Sequence, residues 1–356
     1  MKKYLISGIG PGPSGVGRLI NILAPEYHDK GYYVITRRHP RPFRQLIKRK
    51  KIFDAGTEIA LRCFDRLSFQ IKCLRVLQAE VIFLHPQTAG FWLFFYLVVF
   101  NKVSLYVMDN SFFCICSYNT HPVAHGECLK CVAEIRPHQL CAPYPVRIPK
   151  NINIYFLKKL KSISSRLTFL AQNNLQSELL YAHFGKRINV SIIGMNAESG
   201  DCSVDLSDGM IGDIPFPVIY DVVFHGASKI AKGLFFVLEI AELMPEFSFF
   251  VPDKLSNIMR IAKIMPSSNV FCEEVTWETG LREAVACARL VINPSMWSAP
   301  IEGALVKSGK YNNNVATVES KYGYEAETKM IRNHIRLPRD PLLASEVLRD
   351  FLNHSP

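Results

Sequence analysis

The sequence predicts an α/β protein with two domains, each built on a parallel sheet that is covered by helices. Short apolar runs rich in strand-forming residues alternate with helical apolar patterns along most of the chain, and such alternation is typical of parallel sheets. The chain has 356 residues, which is long for a single hydrophobic core. An acidic, aperiodic stretch at residues 201–216 is typical of a linker or of an irregular entry to the second domain, so we expect domains at residues 1–195 and 196–356.

The composition is that of a folded protein with excess positive charge. Hydrophobic residues make up 49% and charged residues 21% of the chain, which excludes a disordered chain. The formal net charge of +11 favours an anionic partner, such as nucleic acid, nucleotide phosphates or an anionic membrane surface. The apolar segment near the N-terminus is too short for the hydrophobic region of a signal peptide. The most apolar run, residues 89–100, is shorter than the ~20 residues needed to span a bilayer. We therefore expect a cytoplasmic location, soluble or peripheral, where cysteines stay reduced.

A glycine-rich turn follows the first strand, residues 4–7, and leads into a helix. Such a turn allows an anion or a sugar to approach the backbone closely, which makes Gly15 and Gly17 candidate binding residues. Pro11 and Pro13 disrupt the tight turn that a dinucleotide-binding fingerprint requires. The loop therefore favours a ligand other than NAD.

Residues 37–51, RRHPRPFRQLIKRKK, form a dense basic stretch. One interpretation is a solvated loop and helix. The other is a docking patch for anionic lipid or for a pyrophosphate-linked acceptor, because each basic residue near an anionic membrane adds ~1 kcal/mol of attraction. Nucleic acid is less favoured, since Phe43 is the only aromatic side chain available for stacking.

Two polar residues follow predicted strands of the first domain. His85 ends the strand at residues 80–85, and Asp109 follows the strand at residues 103–108. Ligands of open α/β sheets bind at the carboxyl ends of the strands, so both are candidate catalytic residues. A role in capping or turn formation is the alternative for each.

The second domain opens with a predicted βαβ unit at residues 222–252. Its strand-to-helix loop carries Gly226, Lys229 and Lys232. Helix N-termini present unpaired N–H groups and the positive end of the helix dipole, so such a loop suits a phosphate. An ordinary surface loop is the alternative. Further patterns predict a helix at residues 278–287 and strands at residues 288–293 and 315–318.

Cysteines are concentrated in an insertion at residues 110–145, which we expect to belong to the first domain. Cys128 and Cys131 have the spacing of a zinc knuckle, and Cys114 and Cys116 supply a second pair. A long loop without regular structure gains most from such a metal clip. These four cysteines are therefore candidate ligands of a structural zinc, and the alternative ligands nearby are His121, His125 and His138. Buried thiols without metal are the alternative.

The glycine-rich loop after the first strand and three later segments together resemble bacterial glycosyltransferases of the GT-B fold, in the large GT4-like group of surface-polysaccharide enzymes. The three later segments are FHGASKIAKG, ARLVINPSMWSAPIEGALVKS and VMDNSFFCICSYN with the later ECLKC. The resemblance implies two Rossmann-like α/β domains that face a cleft. It also implies a hexosyltransferase that moves a sugar, with retention, from a UDP-, GDP- or dTDP-linked donor and requires no metal for chemistry. The implied acceptor is a polyprenyl-pyrophosphate-linked or lipopolysaccharide glycan in O-antigen, capsule or exopolysaccharide synthesis, at the inner face of the plasma membrane.

The resemblance also assigns roles to residues. Lys232 matches the lysine that neutralises the donor diphosphate, and Lys229 stands in for a family arginine whose place is taken by Ala227. Glu302 matches the second glutamate of a pair that binds the ribose hydroxyls, while the first glutamate has no clear match. The implied donor-binding set is Gly15, Gly17, Gly226, Lys229, Lys232, Glu302, Gly303 and Ala304. The implied catalytic set is Lys229, Lys232, His85 and Asp109.

Two other functions stay open from the sequence. A nucleotide-sugar epimerase of the same layout needs no glycan acceptor and hence no basic docking patch. A zinc-knuckle protein that binds nucleic acid would account for the cysteines and the charge but leaves the second domain without a role.

Overall fold

The structure is a computed structural model that describes residues 1–12, 15–38, 52–194, 219–300, 302–325 and 327–354. The chain forms two compact units. The first comprises Met1–Ile115, Val132–Ile135 and Ala142–Ser203, and the second comprises Cys116–Cys131, Arg136–Cys141 and Val204–Pro356. The predicted domain boundary at residue 195 and the predicted linker at residues 201–216 lie outside the described residues.

The first unit contains a six-stranded sheet in the order β2-β1-β3-β4-β5-β6, in which every pair is parallel. The central strands are almost wholly buried because helices cover both faces. The strands are β1 Lys3–Ser7, β2 Tyr33–Thr36, β3 Glu80–Leu84, β4 Lys102–Tyr106, β5 Leu167–Ala171 and β6 Asn189–Ile192. The described helices are Gly15–Asp29, Ile52–Leu74, Pro86–Ala89, Phe91–Phe100, Lys150–Ser162 and Asn174–Phe184, with a 3₁₀ turn at Ser164–Arg166.

Aromatic packing buries one side of the apolar helix Phe91–Phe100 in this unit. The Phe94 ring lies 5.2 Å from the ring of Phe83 on β3, and Phe91 stacks on Phe156 at 3.7 Å. Burying a phenylalanine contributes roughly 1.5–3 kcal/mol, so these rings hold the helix against the sheet. The apolar run at residues 89–100 therefore contributes buried residues to the hydrophobic core of the first unit.

The second unit repeats the architecture with the strand order β12-β11-β10-β7-β8-β9, again all parallel. Its strands are β7 Val222–Phe224, β8 Phe249–Val251, β9 Val270–Cys272, β10 Leu290–Asn293, β11 Asn314–Val318 and β12 Asn333–Leu337. Its described helices are Leu234–Leu243, Leu255–Ala262, Arg282–Ala286, Gly303–Tyr311 and Pro341–His354, with 3₁₀ turns at Ile230–Lys232 and Glu327–Met330.

These two sheets confirm the predicted α/β class, and they also correct one predicted helix. The expected helix at residues 278–287 is interrupted, because Thr279 and Gly280 have non-helical dihedrals and Gly280 has a φ of 126°. A wide turn at Trp277–Leu281 therefore precedes the short helix Arg282–Ala286. The sequence analysis also did not identify Ile52–Leu74, Lys150–Ser162, Leu255–Ala262, β9, β12 or Pro341–His354.

The cysteine-containing insertion is divided between the units. We expected it in the first domain, but residues 116–131 and 136–141 group with the second unit. The reason is a set of polar and aromatic contacts to the loops that follow β10 and β11, described below. Segment 116–131 is called the strap from here on.

No described helix combines the length and the apolar character needed to cross a membrane. The peripheral location expected from the sequence stays a prediction.

We expect Gly233→Ala to destabilise the second unit much more than Gly31→Ala destabilises the first. Both glycines have left-handed φ, 82° and 80°, so a Cβ costs each about 1–2 kcal/mol of backbone strain. A Cβ on Gly233 would also lie 2.1 Å from the Pro294 carbonyl oxygen, whereas Gly31 has open space. Urea unfolding should show a difference of at least about 1 kcal/mol between the variants. Equal losses would mean that the contact with Pro294 relaxes freely.

Candidate functional site

The strongest candidate site lies where the strand order of the second sheet reverses. Its chain runs from β7 outward to β9, and then returns to β10 beside β7 and runs the other way. The loops after β7 and β10 therefore diverge from adjacent strands, which is where open α/β sheets bind ligands. The first loop carries Lys229 and Lys232, and the second leads to Glu302.

A buried ion pair joins these two loops. Glu302 is only 6% exposed and precedes the helix Gly303–Tyr311, and its Oε1 accepts a hydrogen bond from Lys232 Nζ. Ser295 Oγ donates to the same oxygen at 2.6 Å. The phenol of Tyr324 donates a hydrogen bond to the Ser295 carbonyl at 2.8 Å and so helps to fix the loop after β10. A buried carboxylate must be paired in this way, because an isolated one would cost several kcal/mol.

Two aromatic rings flank the lysines. Tyr118, from the strap, lies 4.8 Å from Trp297 between ring centroids. Lys232 Nζ is 5.2 Å from the Trp297 centroid, and Lys229 Nζ is 5.9 Å from the Tyr118 centroid. These distances allow cation–π attraction, worth about 0.5–1 kcal/mol or more where water is excluded. The indole N–H of Trp297 is buried and has no hydrogen-bond partner among the described residues.

A neutral histidine is buried at the end of β7. His225 Nδ1 lies 2.8 Å from Ser308 Oγ, and its ring stacks on Trp277 at 5.3 Å. Asn293 Nδ2 donates to the same Ser308 oxygen at 2.9 Å. Burial, assisted by the nearby charge of Lys307, lowers the pKa of His225 to about 4. The imidazole is therefore neutral near pH 7 and serves as a polar support for the helix Gly303–Tyr311.

Glu127 anchors the strap to the second unit. Its carboxylate accepts hydrogen bonds from Ser298 Oγ, from the Arg339 guanidinium and, at 2.7 Å, from Ser320 Oγ. Burial alone raises the pKa of Glu127, but these hydrogen bonds outweigh it and hold that pKa below its ordinary value. Asn119 adds a reciprocal pair, because Nδ2 donates to Ser298 Oγ at 3.1 Å and Oδ1 accepts from the Ser298 N–H at 3.1 Å.

A ring contact also fixes the strap. His125 stacks on Phe235, in the first turn of the helix Leu234–Leu243, with 5.1 Å between ring centroids and 10° between planes. The strap therefore touches the loops after β10 and β11 and the helix that follows the lysine loop. These contacts of the strap place Tyr118 beside Lys229 and Lys232.

The first unit brings His85 and Asp109 to one cavity, which Tyr106 and Met108 also line. His85 is 5% exposed and has a left-handed φ of 55°, and its Nδ1 lies 2.9 Å from Thr88 Oγ1. Burial lowers the pKa of His85, although the charge of Asp109 opposes that effect. Asp109 Oδ1 accepts the Ser111 N–H at 2.9 Å. Both His85 and Asp109 thus make the local turn contacts that the sequence analysis gave as the alternative, and their catalytic roles stay predictions.

The two candidate glycines of the first loop differ. A Cβ on Gly17 would lie 2.7 Å from the Gly12 carbonyl oxygen, so the loop itself requires this glycine. Gly15 has nothing within 4 Å of such a Cβ. In the second unit, Gly303 is open in the same way, and the Ala304 carbonyl accepts a hydrogen bond from Ser308 Oγ at 3.0 Å. Binding of a donor by these four residues and by Gly226 stays a prediction.

Among the described residues, no group of three or more His, Cys, Asp or Glu side chains is arranged to hold a metal ion. Cys114 belongs to the first unit, while Cys116, Cys128 and Cys131 belong to the second. Burial raises the pKa of Cys131, which favours the thiol over the thiolate that zinc requires. The described geometry thus offers no support for a zinc site, which stays a prediction.

The sequence analysis missed several residues that build this site. They are Tyr118, Glu127, His225, Ser295, Trp297, Tyr324 and Arg339. Two of them carried a usable signal, since His225 directly follows a buried strand and Trp297 lies in a loop after one. Glu127 and Arg339 gave none, because their pairing spans 212 residues of sequence.

Comparison with family models gave no match, and comparison with curated proteins also gave none. Solved structures do match. The chain is similar to Anabaena HepE in complex with UDP, with a TM-score of 0.52, 11% identity and coverage of 99% of this chain and 90% of that one. A glycosyltransferase from Rickettsia africae ESF-5 matches with a TM-score of 0.50, 12% identity and coverage of 99% and 89%.

A further match is to the GtfA/B complex, where the TM-score is 0.43 and identity is 12%. Here the alignment covers 82% of this chain and 53%, about half, of that one. The matches with HepE and the Rickettsia protein, together with two parallel six-stranded sheets, confirm the predicted two-domain α/β fold of the GT-B class.

We expect the stability of the protein to fall as the pH drops from about 6.5 to about 4, partly because of His225. Its pKa is about 4 in the folded protein and 6.5 in an ordinary environment, so the unfolded chain binds the proton first. The stabilisation is complete above pH 6.5 and is lost on acidification through that window, at a cost of roughly 3 kcal/mol.

Urea unfolding over this range should show a shallower loss for His225→Asn than for the wild type. Leu342, which is 56% exposed and has no titratable group, serves as the control, and Leu342→Ala should leave the pH profile unchanged. Identical slopes for His225→Asn and the wild type would contradict the assignment.

Proposed function

We propose that the chain is a glycosyltransferase that moves a sugar from a nucleotide diphosphate donor to a glycan or lipid-linked acceptor. The observation that carries the proposal is the cluster of Lys229, Lys232 and the N-terminus of the helix Gly303–Tyr311 at the reversal point of the second sheet. This combination of ammonium groups and helix N–H groups suits a diphosphate. The unpartnered Trp297 indole N–H is a further donor for a ligand oxygen.

The Lys232–Glu302 pair is compatible with donor binding. An ammonium group has three N–H donors, so Lys232 keeps its bond to Glu302 while it donates to a phosphate oxygen. The Glu302 carboxylate has several acceptor positions, and ribose hydroxyls join those it already uses. Glu302 thus orients the nucleoside and keeps the lysine extended toward the diphosphate. UDP, GDP and dTDP all present this chemistry.

The reaction breaks the bond between the anomeric carbon and the donor phosphate oxygen and forms a bond to an acceptor hydroxyl oxygen, whose proton passes to the departing diphosphate. Negative charge builds on the departing diphosphate, and positive charge builds on the sugar. Lys229, Lys232 and the helix N-terminus stabilise the former, and such preorganised donors are typically the largest catalytic contribution. His85 and Asp109 are proposed to contact the sugar or the acceptor, and the reaction is proposed to retain the anomeric configuration.

The acceptor is proposed to be a polyprenyl-pyrophosphate-linked or lipopolysaccharide glycan at an anionic membrane surface. Most of the basic stretch, residues 39–51, lies outside the described residues. Its first two residues are committed elsewhere, since Arg37 pairs with Asp65 and Arg38 with Glu58. Trp92, 84% exposed on the helix Phe91–Phe100, supplies an aromatic side chain of the kind found at membrane interfaces.

We expect Lys229→Ala and Lys232→Ala each to lower kcat/KM for sugar transfer by about 100-fold or more, because each removes a donor that acts on the leaving diphosphate. Purified variants are assayed with a panel of UDP-, GDP- and dTDP-linked sugars, and binding of the nucleotide diphosphates is followed by thermal stabilisation. The exposed Lys329 provides the matched control, and Lys329→Ala should behave as wild type.

Lys232→Ala leaves Glu302 without its cation, so urea unfolding of this variant is measured beside its turnover to separate the folding effect from the catalytic one. Near wild-type turnover in both Lys229→Ala and Lys232→Ala would refute the diphosphate site. Conversion of the donor sugar to its epimer without an acceptor would favour the nucleotide-sugar epimerase instead.

Binding to vesicles that contain anionic lipid should be strong at low ionic strength and weaken steeply with salt, because exposed charges are screened within ~8 Å at physiological ionic strength. Joint replacement of Arg44, Lys48, Arg49 and Lys50 by Gln should release the protein from the vesicles without changing donor binding. The measurement is flotation of wild type and variant. If the affinity for vesicles changes neither with salt nor with these substitutions, the basic stretch is excluded as a membrane contact.

A further inference from the structure

The two lysines of the loop after β7 are held in different ways. Lys232 is partly buried, and its ammonium group is bonded to the Glu302 carboxylate. Lys229 is exposed, and its ammonium group has neither a hydrogen-bond acceptor nor a carboxylate partner in the part of the chain that the structure describes. What it does contact is the ring of Tyr118, whose centroid lies 5.9 Å from Lys229 Nζ. The strap therefore supplies the group that holds this lysine.

Tyr118 packs against both loops that diverge at the reversal point of the second sheet. Its ring belongs to a small apolar cluster with Ala231 of the lysine loop and with Trp297 and Ala299 of the loop after β10. The Met296 N–H donates to the Ala231 carbonyl at 2.9 Å, so the two loops are also joined directly. The ring is thus fixed by the same loops that carry the candidate phosphate contacts.

The strap also holds its own backbone. Thr120 pairs with Glu127 in an antiparallel bridge, and the Cys128 N–H donates to the Asn119 carbonyl at 2.7 Å. Glu127 in turn is anchored to the loops after β10 and β11, as described above. Tyr118 directly precedes Asn119, so this anchor also fixes the backbone that carries the ring.

The charges around the ring favour an anion. Lys229 Nζ and Lys232 Nζ lie 5.9 and 6.0 Å from the Tyr118 centroid, and Glu302 compensates the second of these charges. The first has no counter-charge among the described residues. A tyrosine ring attracts an ammonium group more weakly than a phosphate oxygen does, because a charge-assisted hydrogen bond is stronger than a cation–π contact. The ring therefore restrains Lys229 without competing with a phosphate.

We propose that Tyr118 is the positioning residue for Lys229, which makes the strap a working part of the diphosphate site. This inference rests on the proposed function. A long lysine side chain loses rotamer freedom when it binds a ligand, and that loss lowers the affinity. A ring that already restricts Lys229 removes part of the loss before the diphosphate binds. Tyr118 acts through the lysine and needs no contact with the ligand.

The test measures binding of inorganic pyrophosphate, UDP, GDP and dTDP to the full chain by isothermal titration calorimetry. Tyr118→Leu should weaken the tightest of these four probes by about two- to fivefold, the range expected for loss of a cation–π contact. Tyr118→Phe should bind as the wild type does, because phenylalanine keeps the aromatic face. A Tyr118→Leu variant with wild-type affinity, or a Tyr118→Phe variant as weak as Tyr118→Leu, would overturn the proposal.

A double-mutant cycle separates positioning from packing. Lys229→Met removes the ammonium group and keeps an unbranched side chain. Tyr118→Leu should therefore weaken binding little further in the Lys229→Met background, because the lysine through which the ring acts is gone. An equal loss in both backgrounds would assign Tyr118 to support of the loops alone and would contradict the positioning role.

A cation–π pair in the first unit gives the matched control. Lys30 Nζ lies 5.2 Å from the centroid of Tyr27, on the helix Gly15–Asp29. Tyr27→Leu should leave the affinity for every probe unchanged. A loss as large as that of Tyr118→Leu would make the effect unspecific and would overturn the inference.

The inference and the proposed function fail in different ways. Binding that falls in Lys229→Met but stays unchanged in Tyr118→Leu would overturn the positioning role and leave the diphosphate site in place. A wild type that binds none of the four probes would overturn both.

Discussion

The second unit depends on a carboxylate that is removed from water. Glu302 is compensated by Lys232 and Ser295, and this requirement ties the loop after β7 to the loop after β10. Because both loops diverge from neighbouring strands, the pair fixes the start of the helix Gly303–Tyr311 relative to the lysine loop. A charge that stabilises the fold thereby holds an ammonium group at a helix N-terminus. The same interaction serves stability and the proposed chemistry.

A second buried carboxylate acts in the same way on the strap. Glu127 has no regular secondary structure of its own to hold it, and it gains three side-chain donors from loops that belong to the C-terminal sheet. Those bonds compensate its desolvation and position Tyr118 beside Lys229. The two carboxylates differ in one respect. Glu302 joins loops of a single sheet, whereas Glu127 attaches a segment from far upstream in the sequence.

Local patterns predicted the α/β class and the two candidate lysines, because strand propensity, helical periodicity and loop chemistry are encoded within short windows. They did not predict where the strap packs, since its contacts lie about two hundred residues away and leave no local signal. Helix Ile52–Leu74 is amphipathic, so its periodicity was a usable signal that the sequence analysis did not use. The kink at Gly280 was missed because an isolated glycine is compatible with a helix until its φ is known.

The strap has a consequence for synthesis on the ribosome. Residues 116–131 emerge long before Arg339, the last of their anchoring partners, is translated. At a typical rate of about 5–20 residues per second, the interval is on the order of ten to forty seconds. Until these partners have been translated, Glu127 lacks its side-chain donors and Tyr118 lacks the ring of Trp297. The strap therefore completes its contacts only after the strands of the second unit have been translated, and a fragment that starts at the predicted domain boundary lacks a part of its own structure.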